Sequence, residues 1–151
     1  MTKKIHAVMK KVQDEIEPIT KDATNPMYNK GYATIFKIME MVGPILAKNN
    51  LVFTSKMDYR NDTWGVLSKI ILIDEENSGP EEFEECFFPI VYNMGDAQQV
   101  GKNQTYARRY NLISLLNLSF VDDKDDKDGA PDGSPKKTVQ KVSPNPIKVD
   151  L

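Results

Sequence analysis

Two adjacent arginines stand in the middle of the stretch GKNQTYARRYNLISLL, where most neighbouring side chains are apolar or aromatic. Arg108 and Arg109 are flanked by Tyr106 and Tyr110, and Lys102 precedes them by roughly two turns of a helix. Cationic side chains neutralise phosphates, and aromatic rings stack on unpaired bases. The same pattern is also typical of arginine stems that cover apolar surface and of surface ion pairs. The stretch alone therefore allows two interpretations, a helix that binds a polyanion and a helix whose arginines support packing.

The two arginines cannot both point at one ligand. Consecutive residues of a regular helix differ in direction by about 100°. One of Arg108 and Arg109 can lie squarely over a binding face, while the other reaches it obliquely or supports packing. Both stay candidates for contact with phosphate, together with Lys102 and Tyr106.

The charge of the chain is close to neutral overall but unevenly distributed. The 20 Lys and Arg face 22 Asp and Glu, a net charge of −2. From Gly101 to Leu118 there are three basic residues and no acidic one, whereas DDKDDKD follows at 122–128. Because acidic and basic blocks are separated along the chain, the total conceals a positive helix beside a negative segment.

Residues that serve most metal and catalytic sites are scarce. Cys86 is the only cysteine, which excludes an internal disulfide and a multi-cysteine zinc site. The lone His6 near the N-terminus argues against a histidine metal site and a histidine-based triad. No apolar run approaches the ~20 residues of a membrane span, and the first residues lack a signal-peptide pattern. We expect a cytoplasmic protein that needs no cofactor and no metal and has no catalytic residue.

The elements that would position the arginines follow from the spacing of apolar residues. Steps of three and four predict a helix over 3–19 and a second from Thr34, which Gly43 and Pro44 kink or divide. The intervening residues 21–34 are rich in turn formers and are predicted to be irregular. Strand-like runs over 51–60, 63–74 and 83–93 predict an antiparallel meander, and Asp96 is a suitable N-cap for the helix over 98–118.

The predicted fold class is therefore α+β. N-terminal helices precede a three-stranded antiparallel β-meander and a long helix, in a β-β-β-α order. The folded domain is predicted to cover residues 1–121. Residues 122–151 are charged and rich in Pro, Gly and Ser, which predicts a disordered acidic tail.

The segments NKGYATIFKIMEMVGPILAKNNLVF, QQVGKNQTYARRYNLISLLNL and VDDKDD together resemble the ERF (essential recombination function) family of bacteriophage single-strand annealing proteins. The second is the most specific, because it is similar to that family's Gly-x-x-x-Thr-Tyr-Ala-Arg-Arg-Tyr helix. The resemblance spans roughly residues 27–126. It implies a protein of homologous recombination, in the cytoplasm of the bacterial host, that binds single-stranded DNA. It further implies assembly into rings or filaments, and pairing of complementary strands without ATP.

Further candidates for contact with DNA lie outside the long helix. Lys30 and Tyr32, in the segment predicted to be irregular, are second in rank. Lys56 and Arg60 are third, on the predicted first hairpin with Tyr59 between them, where a solvated face is the alternative. Two other aromatic groups, Trp64 and the pair Phe87–Phe88, are assigned to the core or to a subunit interface.

Other functions and partners stay open from the sequence. The protein could coat single strands without pairing them, or form a structural oligomer that binds no nucleic acid. The aspartates at 122–128 could serve a metal-dependent nuclease, although the glycine and glutamate of a calcium loop are missing. The tail could compete with DNA for the basic helix, or its end NPIKVDL could dock a host replication or single-strand-binding protein.

Overall fold

A computed structural model describes residues 3–27 and 29–121. The described helices are α1 (Lys4–Glu15), α2 (Ile35–Lys48) and α3 (Ala97–Leu116). Strands β1 (Ala23–Asn25) and β2 (Lys30–Tyr32) form a two-stranded antiparallel ribbon, and strands β3 (Leu51–Arg60), β4 (Thr63–Leu72) and β5 (Glu82–Pro89) form an antiparallel sheet in that order. The predicted α+β class with its meander and final helix is confirmed. The described residues up to Ser119 belong to one compact unit, and the predicted tail from Asp122 lies outside the described residues.

The meander begins with a tight hairpin. Asn61 and Asp62 both adopt left-handed backbone angles, with φ of 50° and 60°, and Arg60 pairs with Thr63 across the turn. Asparagine and aspartate tolerate this conformation, and its twist matches that of the two strands. In β4, a Cβ added to Gly65 would lie 2.4 Å from the Phe87 ring and 2.6 Å from the Phe88 carbonyl oxygen. Only glycine therefore allows β5 to approach β4 this closely.

Helix α3 is fixed to the sheet by a buried polar contact. The Asn111 side chain is fully buried, and its Nδ2 donates to the Val66 carbonyl at 3.1 Å and to the Ser68 hydroxyl at 2.9 Å. The Ser68 hydroxyl is in turn 2.7 Å from that of Ser55 on β3. Leu112 and the other apolar residues on the same side of α3 are buried around this chain of hydrogen-bonded polar side chains. The polar chain thus aligns the helix across the strands, because sliding it would leave buried donors and acceptors unpaired.

The two N-terminal helices differ from the prediction, α1 in its length and α2 in its continuity. α1 ends at Glu15 rather than near residue 19, because Ile16 is already extended and Pro18 disfavours helical angles at the residue before it. α2 runs unbroken through Gly43 and Pro44, with its buried residues Val42 and Leu46 on either side of the proline. Packing of that apolar face outweighs the hydrogen bond that proline removes.

The segment 21–34 was predicted to be irregular, and this prediction is wrong. It contains the ribbon, in which Ala23 pairs with Tyr32 and Asn25 with Lys30. Each strand has only three residues, too few for the alternation of apolar and polar side chains by which strands are recognised. β5 ends at Pro89 on the edge of the larger sheet, where a missing N–H removes no ladder bond.

Candidate nucleic-acid interface

A groove of about 1390 Å³ lies between the ribbon and α3, along the part of the helix from Gln98 to Tyr110. Three basic residues and three tyrosines line it, and no aspartate or glutamate does. The six residues are Lys30 and Tyr32 from β2, and Lys102, Tyr106, Arg109 and Tyr110 from α3. We call it the basic groove. Its composition combines positive charge with aromatic faces, the pair of features that binds a single strand of nucleic acid.

Arg109 occupies the centre of the basic groove. Its guanidinium carbon lies 4.7 Å from the ring centre of Tyr110, 5.1 Å from that of Tyr32 and 5.4 Å from that of Tyr106. All three distances fall within the range of cation–π attraction. Because Tyr32 belongs to the ribbon, Arg109 connects the two walls of the groove. Within residues 3–27 and 29–121 it forms no ion pair, so no described carboxylate neutralises its charge.

The tyrosines of α3 rest on the sheet and still expose part of their rings. Tyr106 and Tyr110 are one helical turn apart with ring centres 4.6 Å from each other, and Phe88 of β5 lies beneath both at 6.0 and 5.9 Å. Tyr106 is 49% and Tyr110 36% exposed. Contact with Phe88 orients the rings, and their outer parts stay accessible to a ligand.

The ribbon is fixed at its base by Asp22. One carboxylate oxygen accepts a hydrogen bond from the Thr34 backbone N–H at 2.9 Å, and the other accepts one from the Thr34 hydroxyl at 2.9 Å. The Thr34 hydroxyl also caps α2 by accepting from the Lys37 N–H. The pKa of Asp22 lies below its ordinary value of 3.8, chiefly because the Thr34 N–H donates to the ionised carboxylate. Ionised Asp22 therefore stabilises the base of the wall that carries Lys30 and Tyr32.

Folding stability should fall as the pH drops below about 4. A group whose pKa is lowered by folding contributes stability that is fully present above its ordinary pKa and is lost as the pH falls through the lowered value. The carboxyls of Asp22, Asp58 and Asp74 share this direction, with ordinary values of 3.8. Thermal unfolding from pH 7 to pH 2.5 should show Asp22→Asn less stable than wild type at neutral pH, with the two curves converging in acid. Parallel curves would contradict the role of Asp22.

The structure brings together five of the eight residues predicted to contact DNA. Lys30, Tyr32, Lys102, Tyr106 and Arg109 all line the basic groove. Arg108, one position away on the helix, does not line it, as expected when neighbours differ by about 100° in direction.

The other two predicted residues lie on the opposite face of the sheet. Arg60 donates from Nε to Asp58 at 2.7 Å and from a terminal nitrogen to Glu85 at 3.2 Å, so its charge is already paired. Lys56 is exposed on the same face, away from α3. Tyr59 points to the other face, because strand side chains alternate. The predicted basic and aromatic hairpin surface is therefore divided between two faces.

Tyr110 belongs to the basic groove although it was not among the predicted contacts. The signal was present in the sequence, since Tyr106 and Tyr110 are four residues apart and must share one side of a helix. Trp64, assigned to the core or an interface, is 38% exposed and contacts Tyr59 and Tyr92.

The described residues contain no group of three or more His, Cys, Asp and Glu side chains that could hold a metal ion. The aspartates at 122–128 lie outside this part of the chain. None of the helices described is both long and apolar enough to cross a membrane.

The described fold is an antiparallel three-stranded sheet covered by one long helix, with a basic, tyrosine-lined groove along that helix. The chain belongs to the ERF superfamily, whose family model matches residues 5–150. Membership gives it a role of the recombination and annealing type in phages, in association with nucleic acid. No curated protein and no solved structure is significantly similar to the chain.

Proposed function

We propose that the chain binds single-stranded DNA in the basic groove and promotes ATP-independent annealing of complementary strands during phage homologous recombination. The observation that carries the proposal is the lining of the groove, three cations and three tyrosines without an acidic residue. The proposed place of action is the cytoplasm of the bacterial host. No catalytic step is involved.

The physical argument for annealing starts from charge. Two strands repel each other unless their phosphates are neutralised, and Lys30, Lys102 and Arg109 supply three positive charges within one groove. Stacking on aromatic rings adds roughly 1–3 kcal/mol per base, and is tolerant of sequence because every base has a flat face. A strand held in this way is neutralised and extended, which is the state that pairing with a second strand requires.

We propose that the protein works as a homo-oligomer, a ring or a filament. A single groove with three cations binds modestly, whereas repeated grooves along one strand combine into strong binding. Large apolar side chains exposed on a single copy support subunit contacts: Met27 is 80%, Phe36 73%, Val91 76% and Met94 85% exposed.

The test is a fluorescence assay of annealing with two complementary oligonucleotides, without ATP or metal. The double variant Lys102→Ala/Arg109→Ala removes two charges from the basic groove. The matched control is Lys56→Ala/Arg108→Ala, which removes the same charges from residues that do not line it. We expect wild type and the control to accelerate annealing and the groove variant to lose most of the acceleration while staying folded.

Two results would contradict the proposal. Binding of oligonucleotides without acceleration would identify a coating protein. Equal loss in the groove variant and the control would show that overall charge, rather than the groove, attracts DNA. Circular dichroism of both variants separates either result from misfolding.

A further inference from the structure

Three aromatic side chains form a separate cluster at the hairpin end of the larger sheet. The ring centre of Trp64 lies 5.2 Å from that of Tyr59 and 5.1 Å from that of Tyr92. All three are partly exposed, at 38%, 54% and 42% respectively. We call this cluster the aromatic triad. None of its members lines the basic groove.

The rings of the triad differ from other aromatic rings on the sheet. On the opposite face, Phe87 is covered by the guanidinium of Arg60 at 5.6 Å and Phe83 by the ammonium of Lys69 at 4.1 Å. Among the described residues, no cation covers a ring of the triad, and neither its indole N–H nor its two phenol hydroxyls has a hydrogen-bond partner. The triad therefore offers partly exposed aromatic rings together with polar groups that have no partner among the described residues.

Unpaired nucleobases match both properties. A base is a flat ring with donors and acceptors around its edge, so it can stack on the indole and accept or donate hydrogen bonds at the same time. Asp58 and Arg60, next to Tyr59 in the sequence, neutralise each other at 2.7 Å on the opposite face. The paired charge of Arg60 therefore does not attract phosphates to the triad, and unpaired bases are the better match for it.

The triad and the basic groove lie on the same side of the sheet. Tyr106 lines the groove and contacts Phe88, which pairs with Val66 on β4. Trp64 is two residues before Val66 on that strand, so it points to the same face about 7 Å further along. Asn103 of α3 also donates to the Val91 carbonyl at 3.0 Å, which fixes the loop that carries Tyr92.

We propose that Tyr59, Trp64 and Tyr92 form a second subsite, which stacks bases of the strand whose phosphates occupy the basic groove. This inference rests on the proposed function. The groove neutralises the backbone, and the triad holds neighbouring bases by their faces. The subsite takes any unpaired base, because stacking does not read sequence.

The experiment uses the full chain and exploits the fact that Trp64 is the only tryptophan. A fluorescently labelled oligothymidylate is added, with label anisotropy reporting binding and tryptophan emission reporting the triad. An abasic strand of equal length supplies phosphates without bases. We expect oligothymidylate to quench tryptophan emission in step with binding, and the abasic strand to bind without quenching.

Variants test the energetic contribution of the subsite. Trp64→Leu should weaken binding of oligothymidylate about tenfold, the loss expected for one stacked base, and leave binding of the abasic strand unchanged. Tyr92→Leu, in a loop, gives a second variant should Trp64→Leu fail to fold. Phe83→Leu is the control, since Phe83 lies on the opposite face of the sheet, where the Lys69 ammonium covers its ring.

Each contrary outcome has a distinct meaning. Binding with unchanged tryptophan emission overturns the subsite and leaves the proposed function standing. Absence of binding to either strand overturns both. Tryptophan emission that depends on protein concentration without DNA, together with a smaller oligomer for Trp64→Leu, shows that a second copy of the chain covers the triad and overturns the subsite.

Discussion

An Arg109→Ala variant is expected to bind single-stranded DNA about tenfold more weakly than wild type, and Arg108→Ala to stay within about twofold. The two variants remove the same side chain from adjacent positions, so they change the net charge equally. Only Arg109 lines the basic groove, where three tyrosine rings surround its guanidinium. The measurement is equilibrium binding of a labelled oligonucleotide at several salt concentrations.

The salt dependence separates the charge of Arg109 from its stacking. Loss of one phosphate contact should reduce the log–log salt slope of Arg109→Ala by about 0.7. Arg109→Lys keeps the charge and should keep the slope, yet it should lose affinity because an ammonium does not reproduce the planar contact with the Tyr32 ring. Equal effects of Arg108→Ala and Arg109→Ala would contradict the assignment of Arg109 to the groove.

An Asn111→Asp variant is expected to be destabilised by about 3–5 kcal/mol. The exchange keeps the size of the side chain but replaces the amide donor by a carboxylate. In the wild type, the Asn111 amide donates to the Val66 carbonyl and to the Ser68 hydroxyl in a fully buried position. A carboxylate there faces the Val66 carbonyl oxygen without a proton between them and without a described cation as partner. The measurement is urea unfolding at neutral pH.

The matched control for Asn111→Asp is Gln104→Glu. It introduces the same charge into the same helix, but Gln104 is partly exposed, so its effect should stay within about 0.5 kcal/mol. If Asn111→Asp proved as stable as the control, the buried contact between α3 and β4 would have no structural importance. Stability of Asn111→Asp that recovers at lower pH would instead support the mechanism, because protonation restores a donor.

The long helix and the meander could be predicted because their residues carry strong local signals. The repeated apolar positions of Leu112 and Leu116 indicate a helix, and Asn61–Asp62 between two strand-like runs indicates a tight hairpin. The angle between successive residues also excluded equal roles for Arg108 and Arg109. The angle alone did not show which arginine contacts the ligand, because this contact depends on where the ribbon lies relative to α3.

The features that could not be predicted depend on contacts between distant parts of the chain. The ribbon is too short to show a pattern, and it becomes one wall of the groove only because Arg109 contacts Tyr32 from 77 positions away. The aromatic triad joins Tyr92 to Trp64 across a loop and a strand. Two of the three members could nonetheless be placed together from the sequence, since Tyr59 and Trp64 lie directly opposite each other across the predicted hairpin.

The open side of the basic groove determines how a polymer can enter it. The groove has two walls, the ribbon and α3, and no described element closes it from above. A nucleic-acid strand can therefore enter the groove from its open side along its whole length, and no free end has to be threaded through the protein. Under the proposed function, a closed circle or a gap flanked by duplex would be as good a substrate as a linear fragment. Release would likewise need no free end, because the strand can leave through the same open side.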